Sequence, residues 1–332
     1  MRIAIDVMGG DKAPDEILRG TYDAASELGI EPVLVGDSVI IWNSAVSLGF
    51  DPDRFEIVHA DERIMMDDDP VSVVRSKKRS SISLGLNILK DGGADAFVSA
   101  GNTGALHVGS SLIVRKIKGV LRSGIGTVLP LAKPVLLLDS GANTDVIPEY
   151  LLQWALMGIV YMNRFYGIAD PSVGLLNNGS EKTKGKELEK EAFVLLSEAG
   201  INFKGNIEAR DIPLAPCDII VTDGFTGNIV LKLCEGIGLF FFSEIKNMYK
   251  KSKLSELSSV LVREDLRNMR EKYDFAKHGG APFLGVSKPV IKAHGSSDAT
   301  AFKNAIRQAV SFAENDVVSD IENIINVYRK IK

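Results

Sequence analysis

Four short stretches of this sequence each crowd a glycine together with an amide and a hydroxyl or carboxylate: 99–104 (Ser-Ala-Gly-Asn-Thr-Gly), 139–143 (Asp-Ser-Gly-Ala-Asn), 177–181 (Asn-Asn-Gly-Ser-Glu) and 222–228 (Thr-Asp-Gly-Phe-Thr-Gly-Asn). A fifth, Asp6-Val7-Met8-Gly9-Gly10-Asp11, stands near the start. One such loop is ordinary turn chemistry, since Gly, Asn, Asp and Ser supply positive φ and local caps wherever a strand turns into a helix. Several together point to an anionic ligand held by backbone N–H groups and helix N-termini. Two side chains add charge. His294, in His294-Gly295-Ser296-Ser297-Asp298, places an imidazole inside a glycine loop that opens a helix. Lys184, in Glu181-Lys182-Thr183-Lys184-Gly185, follows the third loop. The candidates for chemistry are Lys184, Asn228, His294 and Asn102. Those for substrate binding are Asp6, Gly9, Gly10, Asp11, Gly101, Thr103, Asp139, Asn143, Asn177, Glu181, Asp223, Gly224, Thr226 and Ser296. The other histidines, His59, His107 and His278, read as structural.

The elements that must position these residues alternate. Strand-like runs at 3–8, 32–36, 55–60, 96–100, 126–130, 135–139, 173–177 and 218–223 are separated by helical patterns, the signature of βαβ units. Val135-Leu136-Leu137-Leu138 and Ile219-Ile220-Val221 are apolar on successive residues, as strands buried on both faces must be. The expected fold is a doubly wound, mainly parallel α/β sheet in one unit spanning 1–332. In such a sheet the strand ends share one edge, so the loops are expected to meet in one crevice there. Residues 226–275 read as a helical hairpin of two long helices, 226–251 and 254–273, with its tip at 253–261. A loop rich in glycine and proline follows, then closing helices at 298–313 and 317–331.

Composition narrows the function. A net charge of −4 and a pI near 5.7 disfavour nucleic-acid binding, which needs a strongly basic face. Cys217 and Cys234 form no CxxC pair and no zinc spacing, so no disulfide framework, metal or cofactor is expected. Met1 leads directly into a strand-like run, so no signal peptide is expected, and the apolar stretch 151–162 is too short to span a bilayer. No GxGxxG follows a strand. The nearest approach to a Walker loop, Gly179 to Gly185-Lys186-Glu187, has one residue too many and no Ser or Thr after the lysine. GxSxG and HExxH are absent as well.

Taken in order, the motifs AIDVMGGDKAP (4–14), DDPVSVVRSKKRSS (68–81), SAGNTGA (99–105), LLDSGAN (137–143), GLLNNGSEKTKG (174–185), VTDGFTGNIVLK (221–232) and IKAHGSSDA (291–299) resemble the bacterial phosphate acyltransferases of phospholipid synthesis, nearly end to end. Family members commonly carry His where this chain has Lys12, and other small or apolar residues at Ser140 and Asn178. The resemblance implies a fold like the isocitrate and isopropylmalate dehydrogenases, a homodimer, and transfer of a fatty acyl group from acyl carrier protein to inorganic phosphate. The product would be an acyl phosphate for phosphatidic acid synthesis, taken up by a glycerol-phosphate acyltransferase in the membrane.

Such a reaction asks for orientation and oxyanion stabilisation, worth up to about 7 to 11 and about 3 to 4 kcal/mol, so no metal is required. Lys184, with amides near Gly101 and Gly224, is assigned to phosphate, Asn102 and Asn228 to the oxyanion or pantetheine, and His294 to proton exchange. Acyl carrier protein is acidic, so Arg75–Arg79, Arg115–Lys118 and Arg263–Lys272 are its candidate docking patches. Leu254, Leu257, Val260 and Leu261, ringed by lysines, suit transient insertion into an anionic leaflet, which implies a cytoplasmic, peripherally membrane-associated protein. Two other classes were weighed. A decarboxylating dehydrogenase would need a diacid-binding arginine cluster that is missing, and an adaptor would gain nothing from so many polar glycine loops.

Overall fold

The computed structural model describes residues 1–273 and 279–331. His278 and the last two residues of the expected hairpin, 274–275, fall outside them. In chain order the elements are β1 (Arg2–Asp6), α1 (Asp15–Leu28), β2 (Glu31–Gly36), α2 (Ser38–Ser47), β3 (Glu56–His59), α3 (Ser81–Lys90), β4 (Ala96–Ser99), α4 (Thr103–Gly109), β5 (Gly124–Pro130), β6 (Pro134–Leu138), α5 (Pro148–Tyr166), β7 (Val173–Asn177), α6 (Glu187–Glu198), β8 (Phe203–Glu208), β9 (Ile219–Val221), α7 (Gly224–Tyr249), α8 (Lys253–Leu261), α9 (Arg263–Lys272), β10 (Ala281–Leu284), β11 (Val290–Lys292), α10 (Ala299–Glu314) and α11 (Val317–Ile331).

The strands form one sheet in the order β3-β2-β1-β4-β11-β10-β5-β6-β9-β7-β8. Its outer blocks are parallel, β3-β2-β1-β4-β11 on one side and β6-β9-β7-β8 on the other. The central pairings β11–β10, β10–β5 and β5–β6 are antiparallel. The two blocks therefore point in opposite directions. This corrects the expectation of a single shared edge: the carboxyl ends of β1, β4 and β11 lie at one edge, and those of β6, β7 and β9 at the other. The reversal is made by the β5–β6 hairpin, because β10 is antiparallel to both β11 and β5 and so restores the direction; β10 and β11, inside the expected loop, and β8 are strands beyond those expected. Each has a physical reason to be missed: β10 contains Pro282, β11 has three residues, and β8 is a glycine-containing edge strand that is polar on one side.

Strand side chains alternate between faces, and the core clusters show which is which. Ile3, Ile5, Val98, Leu136, Leu138 and Ile291 join α1, α5 and α10 on one face. On the opposite face Ala4, Phe97, Ile125, Phe283 and Val290 pack with α3 and α4, whereas Leu129, Val135 and Leu137 pack with α7. Along β5, Ile125 belongs to the α4 side and Leu129 to the α7 side, so Thr127 falls between two helical layers. That gap is the groove in which the candidate residues gather.

The expected hairpin takes another form. Its second helix breaks at Val262 into α8 and α9, and the residues assigned to the tip are themselves helical, in α8. Only Gly224, Gly227 and Val230 of α7 are buried, leaving Phe225, Ile229, Leu233, Ile237, Phe240 and Phe241 exposed. By length and composition alone α7 is long and apolar enough to cross a bilayer.

Candidate functional site

The first cluster stands on β1, β4 and β11. Asp6, Ser99 and Lys292 occupy groove-facing positions of neighbouring strands and are buried. Ser99 Oγ donates to Asp6 Oδ2 at 2.6 Å, and the Met8 N–H to Oδ1 at 3.2 Å. Burial raises the Asp6 carboxyl above the usual range, opposed by hydrogen bonds from Ser81 and Ser99. Lys292 donates from Nζ to the carbonyls of Ala100 (3.2 Å) and Ala293, and burial pushes its ammonium down to about 8 against the pull of Asp6 and Asp11. One lysine thus ties the loop after β4 to the loop after β11. Asp11 N–H donates to Gly295 O at 2.8 Å, closing the ring. A Cβ on Gly9 would sit 2.4 Å from Asp6 Oδ2 and 2.6 Å from Gly101 N, so only glycine lets the first two loops touch. Gly10, Gly101, Thr103 and Ser296 lie in these same loops. Ser296 N–H reaches His294 Nδ1 at 3.3 Å and its hydroxyl lies 2.9 Å away. With Nδ1 accepting from Ser296 N–H, Nε2 is the ring nitrogen left to donate, and it makes no hydrogen bond among the described residues.

Asn102, expected at the oxyanion or pantetheine, has its side chain committed within the fold. Its Oδ1 caps α4 by accepting from Ala105 N–H at 2.9 Å, and its Nδ2 donates to Met65 O and Met66 O at 3.0 and 3.1 Å. A buried amide with both ends committed is a clamp on the 60–69 loop.

The second cluster is built around Asp139, just after β6. Oδ1 accepts from the N–H groups of Ile125 (3.0 Å), Gly141 (3.1 Å) and Ala142 (3.1 Å); Oδ2 accepts from Asn143 N–H and Nδ2, both at 2.7 Å. Burial raises this carboxyl, opposed first by Asn143. Asn143 in turn accepts from Arg122 Nε at 2.6 Å and, through its carbonyl, from Gly224 N–H at 2.6 Å. A Cβ on Gly227 would lie 1.9 Å from Asp139 O, so the glycine permits the first turn of α7 to press onto the loop. Asp223 caps that helix, accepting from Thr226 N–H (2.9 Å) and Oγ1 (2.6 Å). Asn228 lies against Gly141, and its amide carries no hydrogen bond among the described residues. It is the uncommitted donor of the pair Asn102 and Asn228.

Helix α7 joins the clusters. Glu235 lies seven residues after Asn228, hence on the same helical face about 10 Å along the axis. Its carboxyl is raised by burial and drawn back by the charge of His294. A second bridge runs through α4, where His107 stacks on Phe283 at 5.8 Å between ring centroids. Burial, with Arg122 nearby, pushes the His107 imidazole down to about 4. The loops of these two clusters therefore approach one another from opposite edges of the sheet, linked along α7 and α4.

Asn177, Glu181 and Lys184 form a third, outlying group. Asn177 Nδ2 donates to Lys184 O at 3.1 Å, Asn206 Nδ2 to Glu181 O at 2.8 Å, and Lys184 Nζ stands 3.9 Å from Glu181 with its side chain about half exposed. Glu235, Lys292 and Arg122 went unread. For Lys292 the signal was present, because β1, β4 and β11 each place a polar residue at the alternation position that continues Ala4, Phe97 and Val290.

A mixed sheet with a polar groove at its centre defines the class. At TM-score 0.66 the fold is similar to a phosphotransacetylase from Streptococcus pyogenes, with 18% identity over 95% of this chain and 94% of that one. It is also similar to a branched-chain phosphotransacylase from Enterococcus faecalis, at TM-score 0.56 and 15% identity over 94% and 99% of the two chains. In sequence the chain is 46% identical to a phosphate acyltransferase of Caldicellulosiruptor saccharolyticus over 100% of both proteins, and 42% identical to one of Clostridioides difficile over 99% of this chain and 98% of the other. Residues 1–320 match the family described as fatty acid synthesis protein. The chain belongs to this family of phosphate acyltransferases, and is an acyltransferase of fatty acid and phospholipid synthesis.

Proposed function

We propose that the enzyme transfers a fatty acyl group from acyl carrier protein to inorganic phosphate, releasing an acyl phosphate for phospholipid synthesis. The observation that carries this reading is the inner face of α7, with the uncommitted Asn228 amide at its fifth residue and His294 beside Glu235 one heptad further on. Hydrogen phosphate, held by loop amides, Nε2 of His294 and, once its loop is brought to the groove, Lys184, attacks the thioester carbonyl. Asn228 donates to the oxyanion that develops there, the carbon–sulfur bond breaks, and the proton of the attacking hydrogen phosphate passes to the departing sulfur, releasing the carrier's thiol. The reaction calls on no cofactor. Incubation with acyl-charged carrier protein, phosphate and EDTA should yield acyl phosphate; its absence refutes the reading.

The exposed apolar stripe of α7 supports a homodimer in which a second copy covers it. Product chemistry supports a cytoplasmic enzyme that touches the membrane transiently, handing its lipophilic product to a membrane glycerol-phosphate acyltransferase. Leu254, Leu257, Val260 and Leu261 are all exposed on α8, with Leu261 at 85%, which is an unusual burden for water to solvate. Replacing Leu257 and Leu261 by Glu should abolish co-sedimentation with anionic vesicles and leave activity in solution unchanged.

A further inference from the structure

Two of the three basic runs meet across one surface pocket. It has a volume of about 340 Å³ and is lined by Val73 and Val74, by Lys78, by Ser83, Asn87 and Lys90 of α3, by Leu112 and Ile113 of the π-helical turn that continues α4, and by Arg115 just after that turn. Lys78, Lys90 and Arg115 are exposed, and no carboxylate belongs to the lining; Asp91 stands outside it, 3.6 Å from Lys90 Nζ. Three other cations of these runs are committed elsewhere: Lys77 to Asp68 (2.5 Å), Arg79 to Asp61 (2.7 Å), and Lys116 to the carbonyl of Leu121 (2.6 Å). The third run, on α9, is interleaved with Glu264, Asp265 and Glu271, so its field largely cancels.

The pocket is apolar as well as basic, since Leu112 is 62% exposed at its rim above Val73, Val74 and Ile113. Its wall is held in an expensive conformation. Arg115 has φ 78° and ψ 161°, a region nearly reserved for glycine, fixed by Arg115 N–H to Ser110 O (3.0 Å) and Ser287 N–H to Arg115 O (2.9 Å). π-Helical turns and strained residues both collect at functional sites. The same turn touches the reaction groove: Ser111 Oγ lies 3.1 Å from Ser123 Oγ, and Ser123 O accepts from Asn143 Nδ2 at 2.9 Å.

We infer that this pocket receives an acidic amphipathic helix of the protein that carries the acyl donor, with carboxylates on Lys78, Lys90 and Arg115 and an apolar side chain against Leu112 and Ile113. The inference rests on the proposed acyl transfer from a carrier protein. Charge complementarity selects the occupant, because three converging cations around an apolar floor reward an acidic helix and repel a basic one. The position suits delivery, placing a carrier's prosthetic arm beside the loop of Asp139 and Asn143.

The test compares two donors in the full-length enzyme, palmitoyl-charged acyl carrier protein and free palmitoyl-pantetheine. Lys78→Glu with Lys90→Glu should raise the KM for the carrier-borne donor at least tenfold and abolish its salt dependence. Turnover of palmitoyl-pantetheine, which also reports an intact fold, should stay within twofold. Arg263→Glu with Arg267→Glu should change neither. An unchanged carrier KM in the first variant, or an equal loss with both donors, overturns the pocket's assignment while leaving acyl transfer in place. A wild-type enzyme that uses palmitoyl-pantetheine but not the carrier-borne donor overturns the carrier reading itself, and the pocket's assignment with it.

Discussion

Asp6 and Asp139 are near counterparts, one in each half of the sheet: a buried carboxyl at the end of a groove-facing strand. They are satisfied in contrasting ways. Asp6 is met mainly by hydroxyls, Ser99 at 2.6 Å and Ser81, and by the field of Lys292; Asp139 is met by four backbone N–H groups and the Asn143 amide. Hydroxyls rotate and can accept as readily as they donate, whereas backbone amides cannot. The first cluster thus tolerates a change of proton or ligand, and the second is a rigid mould for the loop that seats α7. Asn in place of Asp139 would turn an NH₂ against fixed donors and should cost about 3 to 5 kcal/mol. The same change at Asp6 should cost about 1.5 to 3, because its serines can reverse. Urea unfolding of both variants measures the gap. Equal losses would erase the distinction.

The two asparagines sharpen the same contrast between committed and available groups. Asn228→Ala removes the free amide and should lower kcat about 100- to 1,000-fold, the effect of losing one oxyanion donor of about 3 to 4 kcal/mol, with little change in KM. Asn102→Ala should instead lower stability through lost capping. A rise in KM at constant kcat for Asn228→Ala would reduce that residue to a binding contact.

His107 ties the two halves together, and its burial makes that tie sensitive to acid. The imidazole is pushed from 6.5 down to about 4, so between these values the unfolded chain binds a proton that the folded one refuses. Stability from this group is complete above pH 6.5 and is lost as pH falls toward 4, by about 3 kcal/mol in all and about 2 by pH 5. His107→Asn keeps a donor without the titration. The pH 7 to pH 5 loss of unfolding free energy should be smaller in the variant by about 2 kcal/mol; identical losses would mean that His107 is not the acid-sensitive link.

How much of this was legible in the sequence follows from the physics of each part. The outer strands announced themselves because burial on both faces leaves unbroken apolar runs such as Leu136-Leu137-Leu138. The loops were legible because glycine at positions such as Gly9 and Gly227 answers to close backbone approach, which few other demands produce. What could not be read was direction. The sheet reverses its sense at the β5–β6 hairpin, whose two strands are legible but whose three-residue link, 131–133, forces them antiparallel, and β10 and β11 are hidden by Pro282 and a length of three residues, so the sequence pattern suggests one shared edge where the loops lie at two. Nor does residue type tell a free amide from a clamped one: Asn102 and Asn228 sit in similar Gly-Asn contexts, and only the neighbouring carbonyls of Met65 and Met66 separate their roles.

Lys184 gives the comparison its smallest structural effect. Unlike Asp6, Asp139 or Lys292, its charged end is about half in water, and its recorded ionic contact is Glu181 at 3.9 Å. Exposed pairs of this kind contribute about 0 to 1 kcal/mol, so Lys184→Ala should unfold within about 0.5 kcal/mol of the wild type. Its proposed role is in binding: a charge-assisted contact to phosphate is worth about 1.5 to 3 kcal/mol, which predicts a rise of roughly 10- to 150-fold in the KM for phosphate. For that to occur the 178–185 loop must bring the lysine to the groove from its place after β7, held now by Asn177 and Asn206. Saturation curves in phosphate at fixed acyl donor decide it. An unchanged KM would leave phosphate to the loop amides and His294 alone, and would make the third loop a surface feature that shares the composition of the other two clusters without their chemistry.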